Sequence, residues 1–324
     1  MLSRKGCGLL AIAAVVLTIA LGVFLGGWYG SGPQAKDGTF IVPNGASLGT
    51  VAERLEAKGV IASATGFKLR ARIFGAGRDI KAGEFAIPAH ASMDQVLGII
   101  TSDDVIRRFV TVPEGMPSIM VYERLKAQDQ LTGDVQMPAE GSVLPDSYAF
   151  ERGESRQAVL RRMQAAMSRT VAELWPKRAP NLVVKTPEQA LTLASIVEKE
   201  TGKPSERRMV AGLYSNRLKQ GMMLQADPTI IYPITRGKPL GRRILQSEIQ
   251  AVNDYNTYTM VGLPRHPITN PGRASIEAVL HPADTKALYM VADGTGGHAF
   301  ADTLADHNRN VAKWFAIRRA RGEL

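Results

Sequence analysis

A chain of 324 residues, 45% of them apolar, can bury a substantial core and has the length of about two domains beside an accessory segment, which excludes a small stapled module. Lys and Arg number 40 against 30 Asp and Glu, so the formal net charge is +10 and favours a polyanionic partner or surface, without choosing among nucleic acid, phospholipid and an acidic polymer. The single cysteine, Cys7, excludes an internal disulfide, leaving stability to core packing.

Arg4 and Lys5 precede an uncharged run from Gly6 to Ala35, in which Leu9 to Tyr29 is long enough to cross a hydrocarbon core as a helix. The basic flank predicts a cytoplasmic N-terminus over residues 1–8. Trp28 and Tyr29 suit the opposite interface, so nearly all of the remaining chain is expected outside the cytoplasm. No A-x-A boundary follows the apolar core, which favours a retained anchor over a cleaved signal peptide. Cys7 lies before the apolar segment Leu9 to Tyr29, the wrong side for the modified cysteine of an exported lipoprotein.

Residues 30–38 read as a polar link. From Phe40 to Ile61, a strand leads through a Pro-Asn-Gly turn into an amphipathic helix carrying Leu48, Val51, Ala52 and Leu55 at helical spacing. Phe109 to Leu131 repeats that grammar, with Pro113, Gly115, Val121 and Leu125 at the offsets of Pro43, Gly45, Val51 and Leu55; Phe85 to Ile100 is a degenerate third copy around Pro88 and Val96. Gly77 to Pro88 reads as a turn into a strand, Asp104 to Gly115 as another strand approach, and Pro138 to Ser155 as irregular. Gln157 to Leu174 is an amphipathic helix with Arg161, Arg162 and Arg169 on its polar side. Helices follow from Thr186 and over Ser205 to Leu218. The segments `LQADPTIIYPI`, `AVNDYNTYTMVGLPRHPITNPG` and `VADGTGGHAF` read as loops, and Phe300 to Arg318 as a closing helix.

The helix from Thr186 ends in `LTLASIVEKETG`, with two glutamates two positions apart and therefore on different faces. Leu193, Ala194 and Val197 form an apolar stripe. Glu200, three and seven positions from Val197 and Leu193, lies near its edge, where apolar surroundings raise a carboxyl pKa and prepare it to donate a proton. Glu198 turns towards the opposite border, where solvent or a basic side chain can meet it. A solvated helix end accommodates both glutamates equally well.

Other patterns point away from familiar chemistries. His281, His298 and His307 lack an H-E-x-x-H arrangement, so no metal site is expected. `GTGGH` lacks the ending of a phosphate-binding loop. `GASLG` matches a nucleophile elbow in letters, but Ser47 sits at the first turn of the soluble part and is expected to cap a helix. Asp227, before Pro228, is natural as a turn residue and is also the nearest second carboxylate.

Taken as an ordered set, `LASIVEKETG`, `RLKQGMMLQADPTIIY`, `NTYTMVGLPRHPITNPG`, `LYMVADGTGGHAF` and `HN` resemble the endolytic murein transglycosylase family of MltG or YceG type. The motifs cover Leu191 to Asn308, and the anchor and a LysM-like N-terminal region match outside them. The resemblance implies an α+β fold: transmembrane helix over 9–29, LysM-like α/β region over 39–104, intermediate mixed α/β region over 105–185 and mixed lytic transglycosylase domain over 186–324. It implies a peptidoglycan lyase of the inner membrane that cleaves MurNAc–GlcNAc glycosidic bonds within glycan strands and leaves 1,6-anhydromuramyl ends. Glu200 corresponds to the family's catalytic glutamate, with Glu198 supporting. Gln225, Asp227, Thr229 and Tyr232, then Asn253, Asn256, Thr257 and Tyr258, are the candidate substrate-binding or supporting residues.

No cofactor is implied. Glycan strands and the membrane are the expected partners, with peptidoglycan synthases or division proteins beside them, and nucleic acid is not expected. Arg265 and His266 stand where relatives carry a Pro-Gly pair. A membrane-anchored binding scaffold without catalysis and a hydrolytic muramidase are the alternatives.

Overall fold

The computed structural model describes residues 4–75 and 79–323. The turn read at Gly77 and Arg78, and the side chains of Arg4, Lys5 and Cys7, lie outside what is described. The chain divides into two compact units, Met1–Arg108 and Phe109–Leu324, and its elements build an α+β fold.

The first unit opens with the apolar helix α1 (Arg4–Tyr29) and continues through β1 (Gly38–Val42), α2 (Leu48–Ala57), α3 (Ala64–Phe74), β2 (Gly83–Ile87) and α4 (Met93–Ile100). Strands β1 and β2 pair antiparallel with Phe40 opposite Phe85. Alternation turns Phe40, Val42, Phe85 and Ile87 to one face, where Leu55, Phe67, Val96 and Ile100 cover them. Residues Ala11–Tyr29 form one helical span long and apolar enough to cross a membrane, which supports a single-pass membrane protein.

The end of this span is built into the first unit. The side chain of Trp28, expected at the membrane interface, is wholly buried in the core of the first unit, stacked on Phe74 at 5.6 Å. The polar stretch after α1 is pinned to the first unit as well. Gly32 N–H donates to the His90 carbonyl, His90 N–H to that of Gln34, and Ala89 N–H to the Asp37 carboxylate at 2.8 Å.

The repeated strand-turn-helix grammar has a physical basis visible three times. In each copy the residue two after the proline adopts positive φ: Gly45 at 72°, His90 at 57° and Gly115 at 72°. In each copy the amide three after the proline donates back to the proline carbonyl, from Ala46, Ala91 and Met116. Glycine takes that backbone region freely, whereas His90 does so at a steric cost, which is why the third copy looked degenerate. Ser47 and Ser92 then cap α2 and α4, each hydroxyl accepting from the amide three residues on at 3.2 Å.

The second unit contains β3 (Arg108–Thr111), whose first residue closes the first unit, and α5 (Ser118–Lys126), β4 (Ser147–Phe150), α6 (Arg156–Leu174), α7 (Pro187–Glu200) and α8 (Arg207–Lys219). It continues with α9 (Asp227–Thr235), α10 (Gln246–Ile249), α11 (Arg273–Leu280), β5 (Tyr289–Ala292), β6 (His298–Ala301) and α12 (Leu304–Ala320). Helix α7 is its axis: Leu193, Ala194, Ile196 and Val197 are wholly buried among α8, α11 and the loops. Thr186 caps it by accepting from Gln189 N–H, and Pro187 occupies the first turn, where its missing N–H costs nothing.

Several segments read as loops carry regular structure. β4 pairs with β3 inside the stretch read as irregular. The Asp227–Thr235 segment is helical because Pro228 pre-sets its first turn, and it ends at Arg236 in the left-handed region, φ 56°. `VADGTGGHAF` is a hairpin with Ala292 opposite His298, its turn held by Asp293 accepting from Thr295 and Gly297 N–H groups. Helices α3 and α11 have no counterpart in the sequence reading.

Candidate active site

The C-terminal end of α7 delivers two carboxylates to different surroundings. Glu198 accepts from the Gly272 N–H at 2.8 Å and lies 3.5 Å from the Arg207 guanidinium, which also bonds Glu114 at 2.9 Å. Gly272 is the N-cap of α11, so this carboxylate sits where the orphaned amides and positive dipole end of that helix favour negative charge. Its side chain is only 5% exposed, so of the two surroundings expected for it, solvent or a basic side chain, the structure shows the second.

Glu200 enters a cavity of about 210 Å3, lined also by Tyr214 and Arg217 of α8, Gln225, Asp227, Tyr258, Met290 and His298. Its Oε1 atom is buried without a hydrogen-bond partner among the described residues. Burial pushes the carboxyl up to about 7 and the Asp227 charge adds to the rise, while Tyr214, by hydrogen bonding, and the Arg217 cation oppose it. A carboxyl in this state keeps its proton in a large fraction of molecules near neutral pH and lines a space where a ligand atom can receive it.

Arg217 is held from several sides. It donates to the carbonyls of Leu288 at 2.6 Å and Leu224 at 2.8 Å and to the Gln225 side-chain oxygen at 3.2 Å, and it lies over the Tyr289 ring at 5.4 Å. Gln225 itself adopts positive φ, 52°. Opposite, the Tyr258 hydroxyl donates to Asp227 at 2.6 Å, fixing that carboxylate at the first turn of α9. Burial and the bond to Asp227 both push the Tyr258 phenol upward, so it remains a donor. His298 Nδ1 meets Glu206 at 2.8 Å, and its backbone N–H bonds the same carboxylate.

Of the candidate site residues picked out in the sequence, Glu200, Gln225, Asp227 and Tyr258 come together at this cavity, as does His298, for which no metal role was expected. Thr229, Tyr232, Asn253, Asn256 and Thr257 are not among its lining residues. Thr229 and Thr257 are wholly buried, with hydroxyls 2.9 Å apart; Ala226 N–H donates to Thr257, and Thr257 N–H to Thr229. This clamp ties the start of α9 to the loop bearing Tyr258. Asn256 is also wholly buried and donates to the carbonyls of Glu248, Ile249 and Ala251, and Asn253 accepts from the amides of Tyr255 and Asn256. Tyr232 packs on Tyr255 at 4.9 Å, away from the cavity lining.

Tyr214 and Arg217 were missed. Their signal was present: in α8, buried Val210, Leu213, Tyr214 and Arg217 share one face, so a cation stands where an apolar residue would continue the stripe. Arg265 spends its charge on exposed Asp254 at 3.1 Å.

A YceG-like family model matches residues 40–313. An endolytic murein transglycosylase of Bacillus subtilis is 27% identical over 309 residues, covering 86% of this chain and 84% of that protein. One from Streptococcus pneumoniae is 34% identical over 181 residues, 54% of this chain and 32% of that longer protein. The crystal structure of a yceG-like protein from Listeria monocytogenes superposes with a TM-score of 0.54 at 25% identity, covering 85% of this chain and 98% of that one. With a family match that runs from the first strand into the last helix, the chain belongs to the YceG-like family.

Proposed function

We propose that the protein is an endolytic peptidoglycan transglycosylase that cleaves MurNAc–GlcNAc bonds within glycan strands and leaves 1,6-anhydromuramyl ends. The observation that carries this reading is the buried Glu200 carboxyl, lifted to about 7 and with an unpartnered oxygen in the cavity. The likeness to endolytic murein transglycosylases supports the substrate class.

In the proposed reaction, protonated Glu200 donates its proton to the leaving glycosidic oxygen as the bond to the muramyl C1 breaks with its electron pair going to that oxygen. Positive charge develops at C1, where the substrate's own N-acetyl oxygen stabilises it. The C6 hydroxyl oxygen attacks C1, and its proton returns to Glu200. One carboxyl serves as acid and then base, and the intramolecular nucleophile replaces the positioned water of a hydrolase. Gln225, Asp227 and Tyr258 bind or orient the sugar, Arg217 and Tyr214 set the charge state of the acid, and Thr229, Tyr232, Asn253, Asn256 and Thr257 support the loops.

The first unit serves as a LysM-like glycan-binding region, and the chain sits in the inner membrane with a cytoplasmic N-terminus and both units in the periplasm. Cleavage there limits strand length during wall assembly, beside synthases or division proteins. Mass spectrometry of products from purified glycan strands tests the reaction. Anhydromuramyl ends, one water lighter than reducing ends, are expected; hydrated ends indicate a muramidase, and bound but uncut strands a scaffold.

A further inference from the structure

The end of α1 is built into the first unit by α3. Phe74 packs 5.9 Å from Phe24, 5.6 Å from Trp28 and 6.2 Å from Tyr29. Arg70 Nε donates to the Phe24 carbonyl at 2.8 Å, and its guanidinium carbon lies 4.8 Å from the centre of the Phe24 ring. A side chain on Gly27 or Gly66 would come within 2.5 or 2.6 Å of this cation, which therefore occupies a slot between two glycines. Helix α3 thus runs beside the last turn and a half of α1.

That contact fixes the depth of α3. The apolar span Ala11–Tyr29 covers roughly 28 Å at about 1.5 Å per residue, close to the ~30 Å hydrocarbon thickness of a bilayer. Residues 24–29 fill the last part of that distance, so the helix packed on them lies where acyl chains meet headgroups. There α3 exposes Leu69 and Ile73, 52% and 55% accessible and one turn apart. Helical spacing puts Arg70 and Arg72 on opposite flanks of this pair, the pattern of a helix lying in a membrane interface.

The charges fit the same depth. Lys68 is paired with Glu53 at 3.5 Å, but among the described residues neither Arg70 nor Arg72 has a carboxylate within 4.0 Å. A cavity of about 220 Å3 opens beside Arg70, lined by Gly27, Gly30, Ser31 and Ser63. A guanidinium at the edge of hydrocarbon needs an anion, and phosphate matches its planar donors.

We propose that α3 is a second membrane element, seated in the leaflet from which the C-terminal end of α1 emerges, with Leu69 and Ile73 among acyl chains and a phospholipid phosphate on Arg70. The proposal rests on the reading of α1 as a membrane span. It holds the first unit at a fixed attitude to the bilayer, since α1, α3 and the pinned stretch after α1 form one packed body.

Nitroxide labels in the full chain test the placement. Val16→Cys, Ile73→Cys and Asp129→Cys, each on a Cys7→Ser background, are labelled and reconstituted into bilayers of phosphatidylglycerol and phosphatidylcholine. Collisions with oxygen are compared with collisions with an aqueous nickel chelate. Residue 73 is expected to favour oxygen severalfold, as residue 16 does and residue 129 does not. A lipid-like residue 16 with a water-like residue 73 overturns the proposal and leaves the span intact; a water-like residue 16 overturns both.

Native mass spectrometry with phosphatidylglycerol tests the headgroup. Arg70→Gln should lower bound lipid at least threefold, and exposed Arg72→Gln, which disturbs no packing, should lower it less. Unchanged binding in both variants overturns the phosphate assignment.

Discussion

Glu198 and Glu200 leave the same turn of α7 and are both largely withdrawn from water, yet their surroundings differ in kind. The Glu198 side is a satisfied scaffold, with a helix amide and a guanidinium ready to receive a charge. The Glu200 side is a cavity in which one carboxyl oxygen is buried with no hydrogen-bond partner among the described residues. Burial alone therefore does not mark a chemical group. Burial with a partner stabilises the charged form and the fold, whereas burial without one stabilises the proton and stores reactivity at a cost in stability.

The largest expected effect that would break this contrast is on turnover. Glu200→Gln keeps the shape of the side chain but carries no transferable proton, so strand cleavage should fall at least ~100-fold while the protein stays folded. Retained cleavage by this variant, followed as release of soluble fragments, would sink the assignment.

Removing Glu198 should act on the other axis. Glu198→Gln leaves Arg207 with only its exposed partner Glu114 and weakens the cap of α11, so stability should fall by about 2 kcal/mol, read as a lower melting temperature in detergent. Cleavage per folded molecule should change little.

The pH dependence sharpens the comparison further. The folded-state pKa of Glu200 is raised from an ordinary value near 4.5 to about 7, so the unfolded chain releases this proton first as pH rises. Its contribution to stability is then fully present below about 4.5 and is lost as pH climbs through 7, by linkage. Glu140, buried while accepting from Ser118 N–H at the start of α5, is raised to about 7 by the same cause and loses stability over the same window. Glu200→Gln should therefore be more stable than the parent at pH 8, on the order of 1–3 kcal/mol, with the difference vanishing near pH 4.

Activity should decline above pH 7 as Glu200 ionises. Asp227→Asn removes a charge that raises the Glu200 pKa, so the alkaline limb of the rate profile should move to lower pH; an unmoved limb would remove Asp227 from the electrostatics of the acid. The smallest effect is expected at Arg265→Ala, where an exposed pair with Asp254 contributes less than about 0.5 kcal/mol and cleavage should be unchanged.

Much of this contrast was legible along the chain and part of it was not. Helical projection placed Glu200 at the edge of the buried stripe because that relation is local to α7. The same projection left Glu198 open to solvent or a basic side chain, because Gly272 and Arg207, which enclose it, come from elsewhere in the chain. Asn256, Thr257 and Thr229 looked like sugar ligands by residue type, yet their polar groups are consumed in tying two loops together, a use that composition does not distinguish from ligand binding. The proline-led turns announced three strand-helix copies, since positive φ two residues on is a local demand. Trp28 was placed at the membrane interface by its type alone, and only the packing of Phe67 and Phe74 against it reveals that its side chain belongs to the first unit's core as well.

The central claim is that Glu200 carries the reaction and Glu198 the scaffold. The most direct test sets Glu198→Gln and Glu200→Gln side by side, measuring anhydromuramyl release from glycan strands and melting temperature on the same preparations at pH 6. The contrast predicts a folded, strand-binding but silent Glu200→Gln and a destabilised but cleaving Glu198→Gln. Cleavage surviving in Glu200→Gln and lost in folded Glu198→Gln would contradict it.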